Sequence, residues 1–247
     1  MSIGKETRMP RFFDDSFSEA NPYLSDENAR HIGFSLRMRK GEAVTVCAQG
    51  IDYQCEIDCI SQDTITLHIL ETAPCAAEPS ISVTLYQALP KADKLEQIVQ
   101  KSIELGVTAI VPVLTRRCVA RLTPAEFEKK RSRYEKIARA AAMQSGRGCI
   151  PAIGSLCTLE QAAKQMKDAQ TAVVLYETEG GVSFSAVSAD ASSYAVMVGS
   201  EGGFDPEEIA VLKDQGVIPV WLGKRILRCE TAPLAALSVL MHRTGNL

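Results

Sequence analysis

Two apolar runs, Tyr194 to Val198 and Val217 to Trp221, each lead directly into a glycine-bearing loop and then into a helix-like stretch. The loops read Gly199-Ser-Glu-Gly-Gly-Phe204 and Leu222-Gly-Lys-Arg-Ile-Leu-Arg-Cys-Glu-Thr-Ala232. Strand, loop and helix in that order form the repeating unit of an α/β sheet, and two such units put both loops on the same sheet edge. Glycines there let backbone approach a ligand closely. The free N–H and C=O groups can then recognise a flat, polar heterocycle without a charged side chain.

The alternation extends upstream. Ile81 to Leu89 reads as a strand, Asp93 to Leu105 as a helix with Leu95, Ile98, Val99 and Ile103 on one face, Gly106 as its end, and Ala109 to Leu114 as the next strand. Thr123-Pro-Ala-Glu126 has the form of a capping box for a helix to about Ser145, with Phe127, Tyr134, Ile137, Ala138 and Ala141 inward. A strand at Ala172 to Tyr176, a helix capped by Asp205-Pro-Glu-Glu208 and an apolar helix from Thr231 to Arg243 complete the pattern. The N-terminal part is different. Ala43 to Ala48, Asp52 to Ile60 and Thr64 to Leu70 read as strands, preceded by one helix from Ser25, its expected N-cap, to about Arg37. Thr72 to Ser80, with two prolines, reads as a linker, so the expected domains are 1–73 and 80–247.

Several classes are excluded. No apolar run approaches the roughly 20 residues that span a bilayer, and Met1 to Pro10 is polar, so a cytoplasmic protein without membrane contact is expected. The eight cysteines include no C-x-x-C pair and only three histidines accompany them, so no metal site is expected and the thiols read as reduced. Cys55 and Cys59 would share a strand face. Gln87-Ala-Leu-Pro-Lys-Ala-Asp-Lys94 stands where a dinucleotide or phosphate loop would follow the first strand, which removes dehydrogenases and P-loop NTPases. Net charge is −3 overall, but residues 81–170 carry 15 Lys/Arg against 8 Asp/Glu. That local excess suits a phosphate-binding surface and equally a solvated helix.

Four stretches, in order, resemble the RsmE family, members of the SPOUT methyltransferases that methylate N3 of a uridine in small-subunit ribosomal RNA. They are Met9-Pro-Arg-Phe-Phe13 with His31-Ile and Leu36-Arg-Met38; Gln87 to Lys91 with Lys94-Leu-Glu and Gln100 to Val107; Lys136-Ile-Ala with Ala141 to Arg147; and the two C-terminal loops. The resemblance covers nearly the whole chain. It implies an α/β fold with a SPOUT-type parallel sheet and a C-terminal trefoil knot, a small N-terminal PUA-like β-barrel, S-adenosyl-L-methionine as cofactor, a homodimer, and 16S ribosomal RNA or the assembled small subunit as partner. Three positions depart from the family pattern: Ser200 replaces a usual proline, Ala92 stands where a glycine or small residue is usual, and Arg116-Arg117 replaces a frequent Glu-Arg. Ser200 is expected to loosen its loop, and Arg116 to add charge beside the RNA.

On this resemblance, Gly199, Gly202, Gly203, Leu222, Gly223, Leu227, Glu230, Thr231 and Ala232 are expected to bind the cofactor. The leucines would supply apolar walls, while Thr231 could also cap the last helix. Uridine N3 is a poor nucleophile until its proton leaves, so Arg228 is the candidate to stabilise the anion, or else pairs with Glu230. Glu201 is a possible proton acceptor or a structural contact. Arg11, Arg37, Lys91, Lys94, Arg117, Arg121 and Arg147 are the expected RNA contacts. Two alternatives stand beside this reading: a SPOUT enzyme with another target nucleotide, and a non-enzymatic RNA-binding module.

Overall fold

Residues 9–177 and 182–247 are described by the computed structural model, and they divide into two units. The first comprises the chain up to Glu78 with Met143–Cys149; the second comprises Pro79–Ala142 and Ile150–Leu247.

In the first unit, strands β1 (Arg11–Phe13) and β2 (Tyr23–Ser25) precede a short helix α1 (Asp26–Arg30) and a π-turn at His31–Ser35. Strands β3 (Ala43–Ala48), β4 (Ile51–Ile60) and β5 (Thr64–Pro74) follow. The sheet order is β1-β3-β4-β5-β2, with β1 parallel to β3 and the other pairs antiparallel. Gln49 and Gly50, both at positive φ, form the two-residue turn between β3 and β4, as a right-twisted hairpin requires. Alternation along the strands sends Val44, Val46, Ile57, Ile65 and Leu67 into a core shared with Phe12, Phe17, Leu24 and Ile32.

The structure corrects three expectations in this unit. The predicted helix forms as α1 and the π-turn through Ser35, bounded by Asp26 at φ 52° and Arg37 at φ 53°, but its expected cap is absent because the Ser25 side chain makes no capping bond. The proposed linker begins too early, since Thr72 and Pro74 still pair with Tyr53 and Ile51 across β4 and β5. Cys55 is buried and Cys59 exposed because a bulge between Ile57 and Cys59 interrupts the strand alternation.

The second unit runs β6 (Ser82–Ala88), α2 (Lys94–Glu104), β7 (Ala109–Leu114), α3 (Pro124–Ser145, to Ala142 in this unit), β8 (Ala152–Ile153), β9 (Cys157–Thr158) and α4 (Leu159–Met166). It continues through β10 (Thr171–Leu175), β11 (Val182–Ser183), β12 (Ser193–Val198), α5 (Pro206–Asp214), β13 (Ile218–Trp221) and α6 (Ala232–Arg243). The sheet is parallel throughout, in the order β11-β13-β10-β12-β6-β7-β8, with β9 pairing β7 beyond the end of β8. Such a sheet is buried on both faces, which accounts for the nearly continuous apolar strands. Helices α4 and α5 pack against Tyr86, Val174, Ala195 and Met197, and α2 packs against α6. Both capping boxes expected from the sequence form: Thr123 with Glu126, and Asp205 with Glu208. Helix α4, absent from the expected elements, has its own box from Thr158 and Gln161.

Candidate functional site

The parallel register fixes where the glycine loops meet. Strand β10 lies between β12 and β13, pairing Val174 with Met197 and Leu175 with Val220, so the loops after β12 and β13 leave the same sheet edge on either side of Leu175 and Tyr176. Between them is a cleft of about 380 Å³. Its walls include Gly199 to Phe204 from the first loop, and Leu222, Gly223, Arg225 to Leu227, Cys229 and Ala232 from the second. Leu175 to Glu177 form the floor between them.

Seven of the nine expected cofactor residues line this cleft: Gly199, Gly202, Gly203, Leu222, Gly223, Leu227 and Ala232. Glu230 and Thr231 are not among the lining residues. Thr231 sits at the N-cap of α6 but its side chain makes no capping bond, so the expected cap is absent. Close packing shapes the first loop. A Cβ added to Gly202 would lie 2.9 Å from both the carbonyl oxygen and the Cβ of Arg117, so only glycine lets the 115–118 turn approach. Gly203 adopts φ 65°, which closes the tight turn in which its N–H donates to Ser200 O at 2.9 Å. Ser200 does not loosen the loop as expected: it is buried, and its hydroxyl donates to Arg117 O at 3.3 Å.

From the neighbouring strand, the fully buried side chain of Gln87 donates through Nε2 to the carbonyls of Ala88 at 3.1 Å and Gly199 at 3.3 Å. No local pattern marks this tie between β6 and the first loop. Sequence reasoning also misses Leu175 to Glu177, Arg225 and Ile226. Strand order could have flagged the end of β10, but order is not local information.

The charged residues sort differently from expectation. Lys94 is not free for RNA: its Nζ lies 3.0 Å from Glu201 Oε1 and 3.1 Å from Glu230 Oε2. Those contacts, with Glu201 foremost, raise the lysine pKa. Partial burial favours the neutral acid at Glu201, but hydrogen bonds from Lys94 and the Lys91 N–H outweigh it and hold the carboxyl below its usual range. A base so stabilised accepts a proton poorly. Glu230 is lowered for similar reasons: burial opposes ionisation, and contacts that include the Cys229 thiol and Lys94 favour it. Arg228 is exposed, and among the described residues its guanidinium forms no ion pair; Glu230, its alternative partner, is taken by Lys94.

Among the other predicted RNA residues, Arg37 and Lys91 are exposed, and Arg117 lines the cleft with about half of its side chain accessible, although its Nη2 lies 3.6 Å from Asp205. Arg121 is also exposed but donates to the Thr115 and Arg116 carbonyls. Arg11 and Arg147 are corrected. Arg11 holds both Asp52 oxygens at 2.7 Å, and buried Arg147 pairs with Glu78 at 2.8 Å, so both guanidinium groups serve the interior of the first unit. Arg116 is likewise paired with Glu207 and Asp205 instead of presenting free charge.

A parallel α/β unit with a backbone-lined cleft at one strand edge, matched over residues 77–241 by the profile of the RNA methyltransferase domain, belongs to the RNA methyltransferase class. The sequence is 37% identical over 229 residues to the ribosomal RNA small subunit methyltransferase E of Bacillus subtilis (strain 168), covering 90% of both chains. It is 30% identical over 243 residues to the protein of the same name from Buchnera aphidicola subsp. Schizaphis graminum (strain Sg), covering 97% of this chain and 98% of that one. The fold superimposes on a ribosomal RNA small subunit methyltransferase E from Neisseria gonorrhoeae, crystallised with S-adenosyl methionine, with a TM-score of 0.83 at 29% identity, covering 95% of this chain and 97% of that one. The chain belongs to the ribosomal RNA small subunit methyltransferase E family.

Proposed function

We propose that this chain uses S-adenosylmethionine to methylate N3 of a uridine in 16S ribosomal RNA, as free RNA or in the assembled small subunit. The observation that carries this reading is the meeting of both glycine loops around one cleft. Its residues suit the cofactor: Leu175, Leu222 and Leu227 offer apolar surface for an adenine, while at Gly203 and Gly223 no atom of the described residues stands within 4 Å of where a Cβ would be, so a ligand can approach the chain there. Family likeness and the parallel sheet support a SPOUT arrangement with a C-terminal trefoil knot in a catalytic domain at 80–247, and a PUA-like barrel at 1–73. The exposed apolar side chains of Ile226 beside the cleft, 82% accessible, and Val119, 65% accessible, support a homodimer that covers them. Among the described residues no helix is long and apolar enough to cross a membrane, and ribosomal RNA as substrate supports action in the cytoplasm.

When bound, S-adenosylmethionine supplies an electrophilic methyl carbon on a sulfonium. Arg228, without an acidic partner among the described residues, favours the anion formed when N3 releases its proton to solvent, by placing positive charge beside the base. Glu201 does not take the N3 proton, because its carboxylate is committed to Lys94 and Lys91; its role is to hold the first loop. Leu222 and Leu227 narrow the water-accessible space. Arg37, Lys91 and Arg117 contact RNA phosphates.

The test is nucleoside mass spectrometry of RNA from undermethylated small subunits incubated with enzyme and S-adenosylmethionine. Appearance of 3-methyluridine is expected; another methylated nucleoside would reassign the target, and binding without methylation would favour an RNA-binding module. Arg228→Ala is expected to lose turnover while keeping affinity for S-adenosylhomocysteine. Retained turnover removes Arg228 from the mechanism.

A further inference from the structure

A lysine at the first position of a helix opposes the helix dipole, which favours an acid there, and the N-cap Asp93 gives α2 no compensating side-chain bond. Lys94 nevertheless occupies that position with its side chain 29% accessible. Something other than helix stability accounts for it. Its ammonium meets Glu201 of the loop after β12 and Glu230 of the segment before α6, each within 3.1 Å. On one side, Glu201 lines the cleft and also accepts from Lys91 N–H at 3.2 and 3.3 Å. On the other, Glu230 accepts from the thiol of Cys229, which lines the opposite wall, at 3.2 Å. The connected path therefore begins and ends on cleft walls that no strand pairing joins directly, because β10 separates β12 from β13.

We propose that Lys94 is a positioning residue that couples the two cofactor loops, holding them at the spacing the cleft needs, and that it makes no RNA contact. Its charge is what does this. Two carboxylates facing one nitrogen are attracted to it and repel each other without it, so neutralising position 94 converts a clasp into a wedge. The inference rests on reading the cleft as the cofactor site, and the experiment separates the two.

Hydrogen exchange of the cofactor-free protein judges the coupling whatever the ligand. Lys94→Met is expected to raise exchange about tenfold in residues 199–204 and 222–232 together, the scale of a broken charge network. The amides of β10 and β12 should keep their protection. Lys94→Arg, which retains the charge, is expected to restore both loops. Glu230→Gln should loosen the second loop while the first stays held through Lys91 and Lys94. Calorimetric titration with S-adenosylhomocysteine then gives an affinity lowered by Lys94→Met and recovered by Lys94→Arg; a wild-type protein that binds none refutes the cofactor reading, with the exchange result still standing on its own. Exchange changed in only one loop or in neither, or a Lys94→Met effect confined to KM for RNA, overturns the proposal.

Discussion

Arg147 grips Glu78 through two parallel contacts, Nε and Nη2 each 2.8 Å from a carboxylate oxygen. The same carboxylate accepts the N–H groups of Gly148 at 2.8 Å and Cys149 at 3.1 Å, so one side chain organises the whole 147–149 turn within the first unit. Bidentate, charge-assisted pairs of this kind are among the stronger polar contacts in proteins.

Glu78→Gln is therefore expected to destabilise the protein by about 2 kcal/mol in urea unfolding, because it leaves the Arg147 guanidinium buried beside a neutral amide that can accept through only one oxygen. The pH dependence has a definite sign. Burial alone would raise the Glu78 pKa, but the Arg147 hydrogen bond and charge, with two backbone donors, lower it below its ordinary 4.5. A depressed carboxyl contributes stability that is fully present above the unfolded-state value and is lost as pH falls through the folded-state value. Wild type should lose stability below pH 4.5 more steeply than the Gln variant, read from urea midpoints across the acid range.

Gly202→Ala is expected to cost about 1–3 kcal/mol and to weaken S-adenosylhomocysteine binding, since the new methyl would meet the Arg117 backbone at 2.9 Å. The clashing atoms include a carbonyl oxygen, so trimming the Arg117 side chain should not rescue it. Calorimetry on the single and double variants checks both parts.

Ala92→Gly should stabilise. Ala92 holds φ 51° in the turn between β6 and α2, where a Cβ costs about 1–2 kcal/mol and glycine costs about 0.5–1 in chain entropy. A net gain of up to about 1.5 kcal/mol is expected, visible as a rise of up to about 3–6 °C in the thermal midpoint. A lower midpoint would mean that the Ala92 methyl contributes packing that outweighs its backbone strain.

Cys229 should resist alkylation. Burial, then its hydrogen bond to Glu230, pushes the thiol up to about 12, so it stays protonated in mildly alkaline buffer. Iodoacetamide under native conditions is expected to modify exposed Cys59 ahead of Cys229, as peptide mapping by mass spectrometry would reveal. Rapid labelling of Cys229 would mean that the second loop opens readily.

The regular elements of the second unit are legible in the sequence because each carries a local signal: the Leu95, Ile98, Val99, Ile103 stripe, the Thr123 and Asp205 boxes, and the glycines after β12 and β13. What is not legible depends on partners distant in sequence. Strands as short as β8 and β11, two residues each, exist only because a neighbour pairs with them. Helix α4 does carry local signals, a Thr158–Gln161 box and the Leu159, Ala162, Ala163, Met166 face, which the sequence reading passes over. The charged residues are the least legible. A lysine or arginine spells the same whether it faces solvent or a carboxylate, and the acids that claim Arg11, Lys94 and Arg147 stand far along the chain, at Asp52, Glu201 and Glu78.

Among the described residues, every one lining the cleft except Arg117 lies at Leu175 or beyond. Since a polypeptide is made from its N-terminus, the first unit, β6, α2, β7 and α3 all leave the ribosome before either glycine loop exists. Binding competence is thus acquired late in synthesis, and a translation product cut short before Glu230 would have an unfinished site and an α2 without α6 to pack against. Until Glu201 and then Glu230 emerge, Lys94 waits without its acids.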